Sequence, residues 1–536
     1  MKLQSGDLPS GVVWTCLWVL LAVVLLHQVL TFGRREKGLP PGPPTIPVLG
    51  NAHLIPARGL CFKFKEWAEQ YGSVYSLKIG KSTMIVLNDR HAVHELLSMR
   101  GAHYNDRPAD EQTRLALREE NIALTHEGPR WRAERKVAGS YFSPKHLDTA
   151  LKAVQEAEIG RLMYDLLEKP EEFQTSVKRS TASIGTIIIY GHRAVGWEDF
   201  WAYSVYITME RISKALEPGS YLPVEQFPFL KLIPDRWCAS RKRAKDFYDE
   251  MTGIWNEARE RVEQRRARGE RRESLIDRLL DEKVKLDEPL TYPQFNNYLG
   301  GLQMGAADTT ATATLTNILF LGKHPEVQQK AQVELDRVCG TARMPDWSDF
   351  KDLPYINCIL KEGLRLRPII PAGIPHGSKQ DRWYNGMLIP ADSTIFIPAY
   401  ALNHDGNHYD SPLTYNPDRF LAQADKTAPE LATSSKYDER DHYSYGAGRR
   451  MCVGIHLAER TQWRILAQML WAFKIERDVG PDGELAELDT SFNNYEEGFL
   501  YAPKDCKVRF VPRSEKHVEV VRRTFGETEA FLRQWE

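Results

Sequence analysis

The sequence lacks net charge and paired cysteines, and both absences limit what the protein can be. Lys and Arg together number 71 and Asp and Glu 72, so the net charge is −1 and no overall field attracts nucleic acid or an anionic surface. The seven cysteines, at positions 16, 61, 238, 339, 358, 452 and 506, form no Cys-x-x-Cys pair. This spacing argues against a structural zinc site and a disulfide framework, and it indicates a reducing compartment.

Repeats and nucleotide-binding turns are also missing. The sequence contains no repeat of solenoid type and no long low-complexity tract. No glycine-rich turn of the dinucleotide-binding type follows a predicted strand, so the chain has no NADPH site of its own. The charge-rich run Glu257–Arg272 mixes both signs at helical spacing, which predicts a solvated helix and not a nucleic-acid site. At 536 residues the chain is nevertheless long enough to bury a large cofactor.

The N-terminal segment is almost wholly apolar from Val12 to Phe32, and its length suits a helix that crosses a membrane. A cleaved signal peptide is the alternative, but the apolar run is long and no small-x-small site ends it. Arg34, Arg35 and Lys37 follow directly, which places the rest of the chain in the cytosol. We therefore expect a lumenal segment at 1–10, a single transmembrane anchor at 11–32, and a basic, proline-rich hinge at 33–46.

The remainder reads as a mostly helical α+β domain. Val74–Ile79 and Met84–Leu87 flank Gly80 in the pattern of a short hairpin. From about residue 143 to residue 361 the chain is mostly compatible with helix. Its amphipathic stretches are Leu147–Leu167, Arg241–Arg266 and Pro325–Val338.

The most informative stretch is the glycine-rich loop Ser444–Gly454, with one cysteine, Cys452, just before a helical pattern from Ile455 to Phe473. Glycines allow tight turns and close approach of a flat ligand, and the start of the following helix favours a thiolate. A lone cysteine is usually buried filler. Here no second ligand stands at zinc spacing, whereas haem needs only one protein ligand because the porphyrin supplies four nitrogens.

This loop resembles the haem-binding signature of the cytochrome P-450 family, Phe-x-x-Gly-x-Arg-x-Cys-x-Gly. Gly448, Arg450, Cys452 and Gly454 match, and Tyr445 stands where Phe is usual. The resemblance implies that Cys452 is the axial ligand of a haem b iron and that Arg450 pairs with a haem propionate. Tyr445 would keep its ring beside the sulfur, but its hydroxyl could change the hydrogen bonding there.

Further family motifs stand in the expected order. Glu362 and Arg365 form Glu-x-x-Arg, and Arg419 follows in a segment similar to Pro-x-Arg-Phe. The resemblance assigns this trio a structural role. Trp131 and Arg135 match Trp-x-x-x-Arg and are expected at the propionates.

By resemblance, His376 holds the other propionate. The alternative for His376 is an ordinary histidine on a surface strand.

The stretch Gly305–Thr310 lies in a long helical pattern and is similar to the family's distal-helix motif, with Ala306 in place of the usual glycine. Within it Asp308 and Thr309 are neighbours, and the resemblance implies that they relay protons through water to dioxygen during its reduction. Without the resemblance, the simpler interpretation is that Asp308 faces solvent and that the Thr309 hydroxyl bonds to a backbone carbonyl of its own helix.

The resemblance covers nearly the whole chain and implies a microsomal, fungal-like haem-thiolate monooxygenase. Its catalytic domain would span 47–515, with a C-terminal extension at 516–536. NADPH would act through a membrane-bound NADPH–cytochrome reductase that docks near Arg449 and Arg450, with cytochrome b5 as a further candidate donor. The chain would lie in the endoplasmic reticulum membrane.

The expected substrate is lipophilic, and the resemblance places it in a cavity lined by 104–126, 303–310, 369–374 and a turn near Phe499. Two alternatives remain: a haem-thiolate isomerase or dehydratase that does not use dioxygen, and a non-catalytic haem-binding sensor. Such isomerases tend to lose the acid–alcohol pair, so Asp308 and Thr309 argue against them.

Overall fold

The structure is a computed structural model that describes residues 10–56, 58–216, 221–480 and 483–536. The predicted lumenal segment falls almost wholly on residues 1–9, which lie outside this described part. The helices are α1 Ser10–Thr31, α2 Leu60–Tyr71, α3 Arg90–Val93, α4 Glu111–Leu117, α5 Pro129–Tyr141, α6 Pro144–Leu147, α7 Lys152–Glu168, α8 Phe173–Tyr190, α9 Phe200–Ala215, α10 Ala239–Ala267, α11 Leu275–Leu280, α12 Tyr292–Lys323, α13 Pro325–Val338, α14 Pro354–Leu366, α15 Ala399–Asn403, α16 Ala428–Thr433, α17 Ile455–Ala472 and α18 Glu515–Arg533.

The strands are few and short, and they form three small sheets. They are β1 Val74–Ile79, β2 Ser82–Leu87, β3 His376–Gly377, β4 Arg382–Tyr384, β5 Met387–Ile389, β6 Thr394–Phe396, β7 Phe473–Arg477 and β8 Val508–Pro512. One sheet has the order β1-β2-β6-β3, in which only the β2–β6 pair is parallel, and β4–β5 and β7–β8 are antiparallel pairs. The predicted mostly helical α+β fold and the early hairpin are confirmed.

The long helix α12 runs through the centre of the domain and contacts α8, α9, α10, α14 and α17. Its middle and C-terminal half are almost entirely buried, as expected for a helix that is apolar on all sides. Gly300 lets α10 approach closely, because a Cβ at this position would collide with the ring of Trp255. This packing fixes the central helix against which the cavity described below is built.

Helix α1 exposes large apolar side chains, among them Trp14, Trp18 and Leu26. By length and composition, Trp14–Thr31 is apolar enough to cross a membrane. The proline-rich segment after it is docked on β1: Arg35 Nη1 donates to the carbonyl of Ser76 (2.9 Å). A side chain at Gly42 would collide with that same carbonyl, so the glycine among the prolines permits this contact.

Two segments differ in detail from the sequence-based expectations. The charge-rich run ends α10, where Glu257 and Arg261 form an exposed pair as expected, but Arg265 is fully buried and donates to Asp277 (2.7 Å). Residues assigned to a C-terminal extension form α18, which packs along α7. That boundary remains a prediction.

Candidate active site

A cavity of about 280 Å³ lies between α12 and the loop that carries Cys452. All four segments that the resemblance assigned to the substrate cavity contribute to its wall. Most of the wall is aliphatic or aromatic, and its polar groups are few. The lining residues of these segments are Arg107, Asn121, Ile122, Ala123, Leu124, Met304, Gly305, Ala306, Thr309, Thr310, Ile369, Ile370, Gly373, Ile374 and Phe499.

The loop before α17 is held in a tight turn that presents Cys452 to the cavity. Gly446 and Gly448 have φ values of 71° and 62°, in the left-handed region that favours glycine. A side chain at Gly448 would also collide with the carbonyl of Leu97. The backbone N–H of Cys452 donates to the carbonyl of Tyr445 (2.9 Å), and α17 begins three residues later, at Ile455. The thiol therefore projects from a rigid loop.

Cys452 is exposed and lines the cavity. Burial raises the pKa of this thiol, while the N–H of Gly454 and the charge of Arg135 lower it. The N–H of Gly454 acts in the direction that the sequence-based argument expected and favours a thiolate, but in the protein alone desolvation outweighs it. A metal ion that coordinates the sulfur would supply the missing positive charge, since a coordinated thiol loses its proton.

Tyr445 is buried beside the cysteine loop. Its hydroxyl has no hydrogen-bond partner of good geometry, and Gln462 is the polar side chain next to it. Among the described residues, the Tyr445 hydroxyl makes no hydrogen bond to Cys452. The substitution of Tyr for the usual Phe therefore adds no direct hydrogen bond to the sulfur.

Two arginines on one rim of the cavity, Arg135 and Arg450, pack against the ring of Trp131. Arg450 lies 4.0 Å from the centre of the Trp131 ring, and its Nε donates to the carbonyl of Asn105 (2.6 Å). Its two terminal nitrogens are buried and have no hydrogen-bond partner among the described residues, and the same holds for Nε1 of Trp131. Arg135 reaches the carbonyl of Met451 (2.7 Å). Buried donors without acceptors are costly, so this rim is suited to bind an anionic group such as a carboxylate.

His376 closes the same rim from β3. It is buried, lines the cavity and hydrogen-bonds through Nδ1 to the carbonyl of Tyr104 (3.0 Å). It is therefore not the surface-strand histidine of the alternative interpretation. Burial, with the charges of Arg107 and Arg450, lowers the pKa of His376 to about 3. Because Nδ1–H is donated to the carbonyl of Tyr104, Nε2 of the neutral imidazole can only accept a hydrogen bond. His376 can therefore donate to a carboxylate only when it is protonated, and the negative charge of a carboxylate beside it would raise its pKa.

Arg107 lies in the predicted lining segment 104–126, but sequence reasoning did not single it out as a member of this site. Its guanidinium donates to the carbonyls of Ala123 (2.8 Å), Ile374 (3.3 Å) and Pro375 (2.5 Å), and so ties the loop after α4 to the segment before β3. Burial and the charges of Arg450 and Arg135 lower its pKa. No motif marks this position, so only the tertiary contacts identify it.

The predicted structural trio lies behind the cysteine loop. Glu362 receives two hydrogen bonds from Arg365, from Nε (2.7 Å) and Nη2 (2.9 Å), and one from Nε of Arg419 (3.1 Å). Arg365 and Glu362 are fully buried, and Arg365 also donates to the carbonyls of Asn403 and Pro412. These bonds join α14 to the end of α15 and to the segment that follows it, and they do not face the cavity.

On α12 the predicted acid–alcohol pair points in two directions. Thr309 lines the cavity, and its hydroxyl donates to the carbonyl of Gly305 (2.6 Å). Asp308 is absent from the cavity wall and has Tyr206, Lys178 and Glu496 as its charged and polar neighbours. Thr309 is thus bonded back to its helix, whereas Asp308 is half-buried and does not project into solvent.

Burial raises the pKa of Asp308 to about 6, against the attraction of Lys178 and with a further increase from Glu496. In the unfolded chain an Asp titrates near 4. Its ionised form therefore costs the folded protein stability above about pH 6, and this cost disappears as the pH falls to about 4.

We expect Asp308→Asn to stabilise the protein at pH 7.5 by about 1–3 kcal/mol, because it removes this buried charge. The gain should shrink towards zero near pH 4. Denaturant midpoints of both proteins between pH 4 and pH 8 would measure it. The matched control is Asp287→Asn, at an exposed pair with Lys136. Equal midpoints for wild type and Asp308→Asn at pH 7.5 would show that the carboxyl is not destabilised by burial.

Comparison with known proteins agrees with these features. The family model for cytochrome P450 matches residues 40–501. The monooxygenase acuD of Aspergillus aculeatus is 38% identical over 95% of both chains, and the monooxygenase patI of Aspergillus clavatus is 36% identical over 98% of this chain and 99% of its own. A zebrafish cytochrome P450 structure determined with abiraterone has a TM-score of 0.66 at 22% identity, covering 85% of this chain and all of its own.

The fold and the cysteine-bearing cavity define a haem-thiolate enzyme. The chain belongs to the cytochrome P450 family, and it is a haem-dependent monooxygenase related to those of filamentous fungi. As in that family generally, haem is the cofactor, and the electrons come from NADPH through a separate redox partner. The isomerase and sensor alternatives are not favoured.

Proposed function

We propose that Cys452 is the axial ligand of the haem iron and that Arg450, Trp131, Arg135 and His376 hold the two propionates. The observation that carries this proposal is the pair of buried Arg450 nitrogens without acceptors, on the rim of the cavity into which the Cys452 thiol projects. A propionate would satisfy them. Gly448 allows the tight turn of the cysteine loop, Gly454 is the last residue of that loop before α17, and the buried ring of Tyr445 packs within it. Glu362, Arg365 and Arg419 stabilise the core through their ion pairs.

Haem with a thiolate ligand supplies dioxygen activation, since the electron-rich sulfur favours cleavage of the O–O bond. Thr309 contributes an oxygen whose lone pairs remain free to accept a hydrogen bond in the cavity, because its proton is given to Gly305. Asp308 is a proton donor and acceptor on the other side of α12, with a pKa of about 6 that suits proton transfer near neutral pH. Because the two side chains diverge, a proton passing between them requires intervening water.

The proposed substrate is a lipophilic organic molecule that receives one oxygen atom. The mainly apolar wall of the cavity supports this class. The relatives described above come from filamentous fungi, which supports a role in fungal secondary metabolism or in oxidation of foreign compounds.

We further propose that residues 11–32 anchor the protein in the endoplasmic reticulum membrane, with the domain 47–515 in the cytosol. The exposed apolar surface of α1 supports an anchor, because such a surface is unfavourable in water. The hinge 33–46 would fix the orientation of the domain, since Arg35 bonds to β1 and is not free to follow the membrane surface.

The proposed electron donor is a membrane-bound NADPH–cytochrome reductase, with cytochrome b5 as a second candidate. The expected docking face includes Arg449, which is exposed. Arg450 does not belong to that face, because its side chain is turned into the cavity rim and buried. The sequence-based pairing of the two arginines as one surface is therefore wrong for Arg450.

Reconstitution with a fungal NADPH–cytochrome reductase tests this function. We expect NADPH consumption that depends on dioxygen and increases when a lipophilic substrate is added. At low salt Arg449→Glu should slow reduction by the reductase, with little change at high salt, because surface charges act mainly on association. Haem incorporation without dioxygen-dependent NADPH consumption would contradict a monooxygenase, and an unchanged rate in Arg449→Glu would contradict the docking face.

A further inference from the structure

Several polar groups on the part of the cavity wall formed by α8, α12 and the loop after α4 are occupied by the protein itself. The hydroxyl of Thr181 donates to the carbonyl of Lys178 (3.1 Å), and that of Thr309 donates to Gly305. The guanidinium of Arg107 is bonded to three carbonyls. Asn121 is different, because its amide nitrogen has no hydrogen-bond partner among the described residues, although its side chain is nine-tenths buried and lines the cavity.

The orientation of this amide is fixed by its own loop. Oδ1 of Asn121 accepts a hydrogen bond from the backbone N–H of Ala123 (3.0 Å), as in an Asx turn. The oxygen is thus used locally, and this hydrogen bond decides which end of the amide is the nitrogen. The NH₂ group is therefore the end that remains available as a donor.

The loop is clamped to α12 at the preceding residue. Oε2 of Glu120 accepts hydrogen bonds from Asn297 on α12 (2.6 Å) and from the hydroxyl of Tyr248 on α10 (2.9 Å). Asn297 and Gly301 are four residues apart and share one face of α12. Because Glu120 is hydrogen-bonded to Asn297, the next residue of the loop, Asn121, lies over Gly301, one helical turn further along α12.

Gly301 leaves open the space next to the amide. A Cβ at Gly301 would lie 3.4 Å from Nδ2 of Asn121, and Gly305, one turn further on, carries no side chain either. Both glycines line the cavity. The amide donor therefore borders a gap that a substrate can enter and that the protein does not fill.

We propose that Asn121 determines substrate specificity by donating a hydrogen bond from Nδ2 to a neutral oxygen of the substrate, such as a ketone or lactone carbonyl, on an otherwise apolar molecule. This inference rests on the proposed function, because the same cavity must hold the haem. The oxygen is neutral because Arg107, the lining cation of the same segment, already donates to protein carbonyls, and an unpaired buried charge is costly. The hydrogen bond selects the substrate and its orientation, and other lining residues contribute apolar contact.

Two ligands with the same ring skeleton test the proposal, namely 1-indanone, which has a carbonyl, and indane, which has none. Their dissociation constants would be measured from the ligand-induced shift of the ferric Soret band of the full-length holoenzyme. In Asn121→Ser and Asn121→Leu, the preference for the ketone should fall about three- to tenfold relative to wild type, which is the effect of one neutral hydrogen bond. Serine can keep the turn by accepting from Ala123, but its hydroxyl is too short to replace the amide donor.

Thr125→Val is the matched control in the same loop. Its hydroxyl bonds to the carbonyls of Glu119 and Asn121 and does not line the cavity, so its loss should weaken both ligands alike and leave their ratio unchanged. An unchanged ratio in both Asn121 variants, or failure of wild-type holoenzyme to bind 1-indanone, would overturn the proposal. A wild type without the red-shifted carbon monoxide band would instead overturn Cys452 ligation, so the two failures are distinguishable.

Discussion

Cys452→Ser is expected to abolish the strongly red-shifted Soret band that wild type shows when the dithionite-reduced protein binds carbon monoxide. A thiolate is a soft, electron-rich ligand, whereas a serine hydroxyl is hard and stays protonated. Cys452 is the one cysteine of the described chain that lines the cavity. Monooxygenase turnover should be lost together with the band, because the electron donation by sulfur is lost.

Cys506→Ser provides the matched control. Cys506 is buried and lies near the carbonyl of Leu315 on α12, with its Sγ 3.9 Å away, but it does not line the cavity. A serine there can donate to the same carbonyl, so the red-shifted band should be retained. If Cys452→Ser kept the band, or if correctly folded wild type never showed it, Cys452 would not be the haem ligand.

Glu362→Gln is expected to destabilise the protein by about 3–5 kcal/mol, the range found when one partner of a buried ion pair is removed. Glutamine has nearly the same shape but no charge, so Arg365 and Arg419 would keep two positive charges around a neutral amide. Arg365 is fully buried and its carbonyl partners do not neutralise it. The temperature at which the Soret band is lost should fall, and haem should be retained poorly during purification.

The matched control for this prediction is Glu257→Gln on α10. Glu257 and Arg261 are also 2.7 Å apart, but their side chains are 49% and 43% exposed. Exposed pairs contribute at most about 1 kcal/mol, so this substitution should change the melting temperature little. Equal effects of the two substitutions would contradict the bracing role of the trio, because burial would then make no difference.

The difference between these two glutamates could not be obtained from the sequence. Both stand in helices beside an arginine, at i,i+3 for Glu362 and i,i+4 for Glu257. The family motif predicted a structural role for Glu362. The large contribution of its ion pair to stability depends on burial, and this burial results from α14 packing against segments 38 to 57 residues away along the chain.

The sequence by itself determined the local features and the chemistry that depends on residue type. The hydrophobic periodicity predicted α13 from Pro325 to Val338 and β1 from Val74 to Ile79, because side-chain spacing along a helix or strand is a local property. The glycine pattern around Cys452 predicted a tight turn followed by a helix, as found for α17. The order of the motifs indicated the family.

Only the tertiary structure decided which side chains meet and how much water they keep. It separated Asp308 from Thr309, raised the pKa of Cys452 and turned Arg450 away from the surface. Within the predicted lining segment 104–126, it also decided that Arg107 and Asn121 are among the residues that reach the cavity. Each outcome depends on burial and on contacts between segments distant in sequence. The physical reason is that desolvation and hydrogen-bond satisfaction are set by the packed surroundings of a group, and a motif records the group without its surroundings.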